Sequence, residues 1–224
     1  MRLYLASNDL GDYANVLIDL VEDNKKALVI SNARDYRSAN DRKAIVDEDI
    51  GILEECGFDA IELDLRKYFG NAPELRKYVD SYKPGLVFAM GGNLYALATA
   101  LHLSGMDDIL RDDLNRDRYV YGGYSAGSMV ASYDLLNYSD SYGRRSGDRL
   151  EQASELYGET FTDGLGLIDE YVVPHADREK FRPSCEEAEA NISGRGLTPI
   201  VLNDTDVVVV NGKKQEVLRK EKSR

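Results

Sequence analysis

The chain has 224 residues, 43% hydrophobic and 30% charged, a soluble globular profile that fits one large domain or two small ones with room for a substantial core. Its 40 acidic against 28 basic residues give a net charge of −12, which argues against nucleic acid or an anionic membrane as a partner. No apolar run approaches membrane-spanning length, and the N-terminal "MRLYLASNDLGDY" lacks a signal peptide's long apolar core and cleavage site, so a cytoplasmic protein is expected.

In chain order, "RLYLA" (2–6) reads as a strand, and Ala14, Leu17, Ile18 and Val21 then fall on one helix face. "ALVIS" (27–31) is a second strand, followed by a helix from about residue 40 to 56 with Ile45, Ile52, Leu53 and Cys56 as its stripe. "AIELDL" (60–65) is a third strand with apolar alternation, and a short helix follows Pro73. "GLVFAM" (85–90) is apolar throughout, and Leu94, Leu97, Ala98 and Leu101 repeat the helical stripe with Asn93 at the N-cap position. "RYVYGG" (118–123) is a fifth strand, with a helix start after Ser125. This β-α-β-α order predicts a mostly parallel sheet with helices on both faces, whose sites lie at the carboxyl ends of the strands. The turns after strands four and five are the expected location.

The last third is different. Residues 138–159 are polar and Gly/Ser-rich, and read as a surface excursion. "EYVVPH" (170–175) is a strand candidate and 183–191 a helix after Pro183. "PIVLN", "DVVVV" and "QEVLR" suggest short extra strands near the C-terminus, with "VNGKK" as a hairpin signal. With no internal repeat and no domain-sized linker, residues 1–224 are expected to form a single domain. Cys56 and Cys185 have no metal-like spacing and are expected as reduced thiols.

Gly123-Tyr124-Ser125-Ala126-Gly127 is a G-x-S-x-G pattern, which chance alone produces in roughly one chain in fifteen of this length. Its position between a buried strand and a helix start is the context of a nucleophile elbow. There the Ala126 N–H can face a developing oxyanion. The alternative is a tight turn with a capping serine. A serine nucleophile needs a base, and the chain has two histidines. His102 lies late in a helix, whereas His175 follows "YVVP" at a strand end. Of the acids after it, Asp204 in "VLNDTDVVVV" is the candidate and Asp206 its competitor. The order Ser…His…Asp is not that of the α/β-hydrolases, so a different parallel-sheet fold is implied.

Three motifs together, "FAMGGNLYAL" (88–97), "YGGYSAGSMV" (121–130) and "GLGLIDEYVVPH" (164–175), resemble those of the dipeptidase E (alpha-aspartyl dipeptidase) and cyanophycinase group of serine peptidases, family S51. The resemblance spans most of the chain. It implies a class I glutamine amidotransferase-like fold, a flavodoxin-like three-layer sandwich. It also implies Ser125 as nucleophile, His175 as general base and Asp204 as third member, where the family more often has glutamate. Gly92 and Ala126 would supply oxyanion-hole amides, and Gly91 and Asn93 would lie at the substrate. The family uses an arginine after the histidine to recognise aspartate. In "ADREKFRPS" that role falls to Arg178 or Arg182, if the stretch is helical and brings both to one side, the alternative being two solvated surface arginines. The implied activity is hydrolysis of short peptides, perhaps with N-terminal Asp, by a monomer or homodimer without metal or organic cofactor. An amidase or esterase with the same triad, or a non-catalytic ligand-binding relative, would carry the same motifs. A glutamine amidotransferase would have cysteine at position 125.

Overall fold

The computed structural model describes residues 1–138 and 149–220. Five strands, β1 (Arg2–Ala6), β2 (Lys26–Ile30), β3 (Asp59–Leu63), β4 (Leu86–Ala89) and β5 (Val120–Tyr124), pair in parallel in the order β3-β2-β4-β5-β1. β6 (Tyr171–Val173) and β7 (Pro199–Val201) leave this sheet and pair with each other in parallel. The hairpin of β8 (Val207–Asn211) and β9 (Lys214–Leu218) extends the main sheet antiparallel to β1, giving seven strands.

Side chains of a strand alternate between the two sheet faces, so each buried strand feeds two cores. Leu3, Leu5, Leu28, Ile30 and Val87 face one core, shared with helices α3 (Ala72–Tyr82), α4 (Leu94–Ser104) and α5 (Met106–Asn115). Tyr4, Ala6, Val29 and Phe88 face the other, closed by α1 (Ala14–Val21) and α2 (Ala39–Glu55). Burial on both faces accounts for the continuous apolar runs in β2 and β4. β3 is the sheet edge and is less buried than the inner strands: Ala60 and Leu63 enter opposite cores, and Ile61, which the expected alternation places on the Leu63 face, is exposed.

Three local expectations need correction. On α2 the buried stripe is Arg42, Val46, Asp49 and Leu53, and Ile45, Ile52 and Cys56 only flank it. Two charged residues are buried there because their partners are buried with them: Arg42 donates to Asp35 and Ser31 at 2.6 Å, and Asp49 accepts from the Tyr124 hydroxyl at 2.7 Å. Helix α5 was not anticipated, although Met106, Ile109, Leu110 and Leu114 form its buried face. Of the supposed surface excursion, 139–148 lie outside the described residues, and 149–157 form a helix docked on α4. After the one-turn helix α6 (Ala126–Met129), this docked element is α7 (Arg149–Tyr157), followed by α8 (Arg182–Gly194). Ala153 of α7 is fully buried against α4. No described helix is long and apolar enough to cross a membrane.

Candidate active site

β2, β4, β5 and β1 are consecutive in the sheet, so the loops at their carboxyl ends share one rim. Ser125 follows β5 directly, with φ 51° and ψ −114°, a conformation that costs a non-glycine residue about 1–3 kcal/mol. The surroundings impose it. The Ser125 N–H donates to the Ala6 carbonyl at 3.2 Å, and the Ser128 hydroxyl donates to the carbonyls of Ala6 (2.7 Å) and Gly123 (2.8 Å). Gly127 runs so close to β4 that a Cβ there would lie 2.0 Å from the Ala89 carbonyl oxygen. The helix expected after Ser125 is the single turn α6, so any polarising effect comes from its first N–H groups and not from a long helix dipole.

His175 lies just past β6 with φ 69°. Its N–H donates to the Ser7 hydroxyl at 2.8 Å, its ring stacks on Phe181 at 5.1 Å, and the Cys185 thiol donates to the neighbouring Pro174 carbonyl at 3.1 Å. Held so, its Nε2 is 3.0 Å from Ser125 Oγ and its Nδ1 is 2.7 Å from Asp204 Oδ1. The other oxygen of Asp204 accepts from Arg178 Nε, and the Asp204 N–H donates to Asp177 Oδ1 at 2.9 Å. Asp206 is turned away: it is buried, and its Oδ2 accepts the Asn203 N–H at 2.9 Å, closing the 203–206 turn. Burial lowers the His175 pKa below the ordinary 6.5; the hydrogen bond and charge of Asp204 oppose this, and the Arg178 charge adds to it. The shift favours the neutral imidazole, whose Nε2 lone pair can accept a proton.

The turn after β4 presses against this pair. Gly92 has φ 148°, and a Cβ there would lie 2.2 Å from the Ala33 carbonyl oxygen. A Cβ on Gly91 would meet the Tyr124 ring at 2.6 Å and Ser125 Cβ at 3.0 Å. The peptide after Gly92 is pinned at both ends: the Asn93 N–H donates to Ala33 at 2.8 Å, and Arg149 Nη1 donates to the Gly92 carbonyl at 2.9 Å. Asn93, expected at the substrate, is instead buried as the N-cap of α4. Its Oδ1 accepts from Tyr95 and Ala96 N–H, and its amide reaches the Arg149 carbonyl and Gln152.

The model of the family described as Peptidase family S51 matches residues 4–218. The chain belongs to peptidase family S51. Its members are serine peptidases of the dipeptidase E kind. Among solved structures, a candidate peptidase E protein from Listeria monocytogenes EGD-e superposes with a TM-score of 0.75 at 20% identity, covering 98% of each chain. A peptidase from an acI-B1 Actinobacterium superposes with a TM-score of 0.69 at 20% identity, covering 98% of this chain and 87% of its own. These likenesses establish the shared fold. No curated protein sequence matches the chain significantly.

In this S51 chain the serine and histidine open onto a cleft of about 540 Å³. Among the described residues lining it are five cations, Arg34, Arg37, Arg149, Arg178 and Lys180, and no carboxylate, in a chain of net charge −12. Of the two arginines weighed for carboxylate recognition, only Arg178 lines the cleft. Residues 176–181 are turns, α8 begins at Arg182, and Arg182 is exposed and outside the cleft. Arg178 lines the cleft but is bonded to Asp204. His102 is remote, stacked on Phe161 at 3.8 Å. The cations on the β2–α2 connection and on α7 were missed. The β2 end is as much a rim position as the ends of β4 and β5, so the rule that sites lie at the carboxyl ends of parallel strands was the available clue.

Proposed function

We propose that this S51 peptidase hydrolyses short peptides in the cytoplasm by acyl transfer, with Ser125 as nucleophile, His175 as base and acid, and Asp204 as the residue that orients the imidazole. The observation that carries the reading is the chain of contacts from Ser125 Oγ to His175 at 3.0 Å and from His175 to Asp204 at 2.7 Å. In the forward step His175 Nε2 takes the Ser125 proton as Oγ attacks the scissile carbonyl carbon. The carbonyl oxygen becomes an oxyanion facing the N–H groups of Gly92 and Ala126. His175 then protonates the leaving amine, the C–N bond breaks, and an ester to Ser125 remains. Water, deprotonated by His175, attacks that ester and releases the acid. Asp204 favours the imidazolium formed on the way, and Arg178 and Asp177 hold Asp204 in place. The cationic cleft suits peptides that carry carboxylates, including dipeptides with N-terminal Asp, because a guanidinium grips both oxygens of a carboxylate.

A fluorophosphonate probe tests the nucleophile. It should label Ser125, as mapped by peptide mass spectrometry, and label nothing in the folded Ser125→Ala variant; an unlabelled, folded wild type would remove the serine-hydrolase reading. Dipeptides compared with esters of the same acyl group then separate a peptidase from an esterase.

The base must be neutral to act, and burial holds the His175 pKa below 6.5. The acid limb of kcat/KM should therefore have its midpoint below pH 6.5. Folding stability runs the same way. The unfolded imidazole takes its proton before the folded one does, so His175 contributes a loss of stability that sets in as pH falls below 6.5. A pH–rate profile with a midpoint above 7 would show that another group limits the reaction.

A further inference from the structure

The cations of the cleft are not equivalent. Arg178 is paired with Asp204, Arg149 donates to the Gly92 carbonyl, and Lys180 lies 5.5 Å over the Phe181 ring. Arg37 is exposed at the rim, 4.8 Å over the ring of Tyr36. Arg34 differs from all of them. It is partly buried, and among the described residues no carboxylate lies within ion-pairing distance of its guanidinium. Its neighbours are neutral phenols: Nη2 donates to the Tyr124 hydroxyl at 3.2 Å, and the Tyr36 side chain also lies beside the guanidinium. The Tyr124 hydroxyl in turn gives its own proton to Asp49 at 2.7 Å, so Tyr124 stands between the arginine and the nearest acid. Among the described residues, Nε of Arg34 is buried without a hydrogen-bond partner. A partly desolvated guanidinium whose charge is met only by neutral phenols and whose Nε has no acceptor is costly unless an anion completes it.

Its backbone is held firmly. Arg34 ends the short 3-10 turn Asn32–Arg34 at the carboxyl end of β2. The next residue, Asp35, is buried and accepts from Arg42 (2.6 Å), Asn32 (2.8 Å) and Tyr157 (2.6 Å). The preceding residue, Ala33, receives the Asn93 N–H beside Gly92. Arg34 is thus tied to the turn after β4 on one side and to Tyr124, the residue before Ser125, on the other.

We infer that Arg34 is the specificity-determining residue that grips a substrate carboxylate in this cleft, in place of an arginine from the segment after His175. The inference deepens the peptidase reading and takes its substrate class from it. A short peptide can supply the carboxylate from an acidic side chain on the acyl residue or from its C-terminus, and the guanidinium fork suits either.

Calorimetric titration of the Ser125→Ala protein separates these cases without needing turnover. Asp-Leu-NH2 carries only the side-chain carboxylate, Ala-Leu only the C-terminal one, and Ala-Leu-NH2 neither. At least one of the first two should bind tenfold or more tightly than the third. Adding Arg34→Met or Arg34→Gln should abolish that preference and leave Ala-Leu-NH2 unchanged, whereas adding Arg182→Met should change nothing. The peptide that loses affinity identifies which carboxylate Arg34 holds. The glutamine variant keeps length and polarity, and unchanged melting temperatures verify that both variants are folded. No carboxylate preference in Ser125→Ala, or a preference that survives both Arg34 substitutions, would overturn the inference. Hydrolysis by the wild type is scored separately. Preferential binding without hydrolysis would keep the carboxylate subsite and discard the peptidase reading, and hydrolysis without preference would do the reverse.

Discussion

Ser125→Ala is expected to lower kcat for a cleaved dipeptide by roughly five to six orders of magnitude, with the melting temperature nearly unchanged. The size of the effect follows from the reaction: without Oγ there is no acyl-enzyme, and only binding and the oxyanion-directed amides remain. His175→Ala should cost nearly as much, because a base without its nucleophile and a nucleophile without its base are each idle. The two losses should not add in the double variant. His102→Ala is the control, since its ring lies against Phe161 and its Nδ1 is 3.3 Å from Asp107. Steady-state hydrolysis with purified, folded variants decides it. Near-normal turnover in His175→Ala would remove the assignment of the base, whatever became of Ser125.

The second large effect should come from Asp204→Asn, about 10⁴-fold in kcat, by analogy with the loss seen when a triad carboxylate becomes an amide that stabilises the wrong imidazole tautomer. Here Nδ1 of His175 lies 2.7 Å from Asp204 Oδ1, so an amide NH2 placed there would force the proton onto Nε2, the atom that must accept from Ser125. Arg178→Met should cost less, since Asp204 would keep its bond to His175 and its N–H bond to Asp177. Asp206→Asn should act on stability and spare kcat, because Asp206 is buried and closes the 203–206 turn through the Asn203 N–H. A folded Asp206→Asn protein with kcat reduced as far as Asp204→Asn would reverse the roles of the two aspartates.

The sequence by itself determined the parallel half of the sheet and the positions of the serine and histidine. Both are local properties. A strand buried on two faces must be apolar along its length, as in residues 86–89, and a strained elbow packed on a neighbouring strand needs small residues at fixed offsets, as in 123–127. Asp204 could be named from the sequence but not separated from Asp206, because the two lie in one turn and differ only in direction. The tertiary structure decided everything that depends on distant residues meeting. It decided that β6 pairs with β7 away from the main sheet, that α7 docks on α4, and that two charged residues of α2 are buried with partners from β2, β5 and their loops. It also decided the fate of the arginines. Arg178 and Arg182 are neighbours in the sequence, yet one is bonded to Asp204 and the other faces solvent, while Arg34 reaches the cleft from the far end of β2. An arginine's pattern in a sequence carries its charge, but the partner that uses the charge is chosen by strand order and packing, which bring together residues as far apart as Arg34 and Tyr124, 90 positions away.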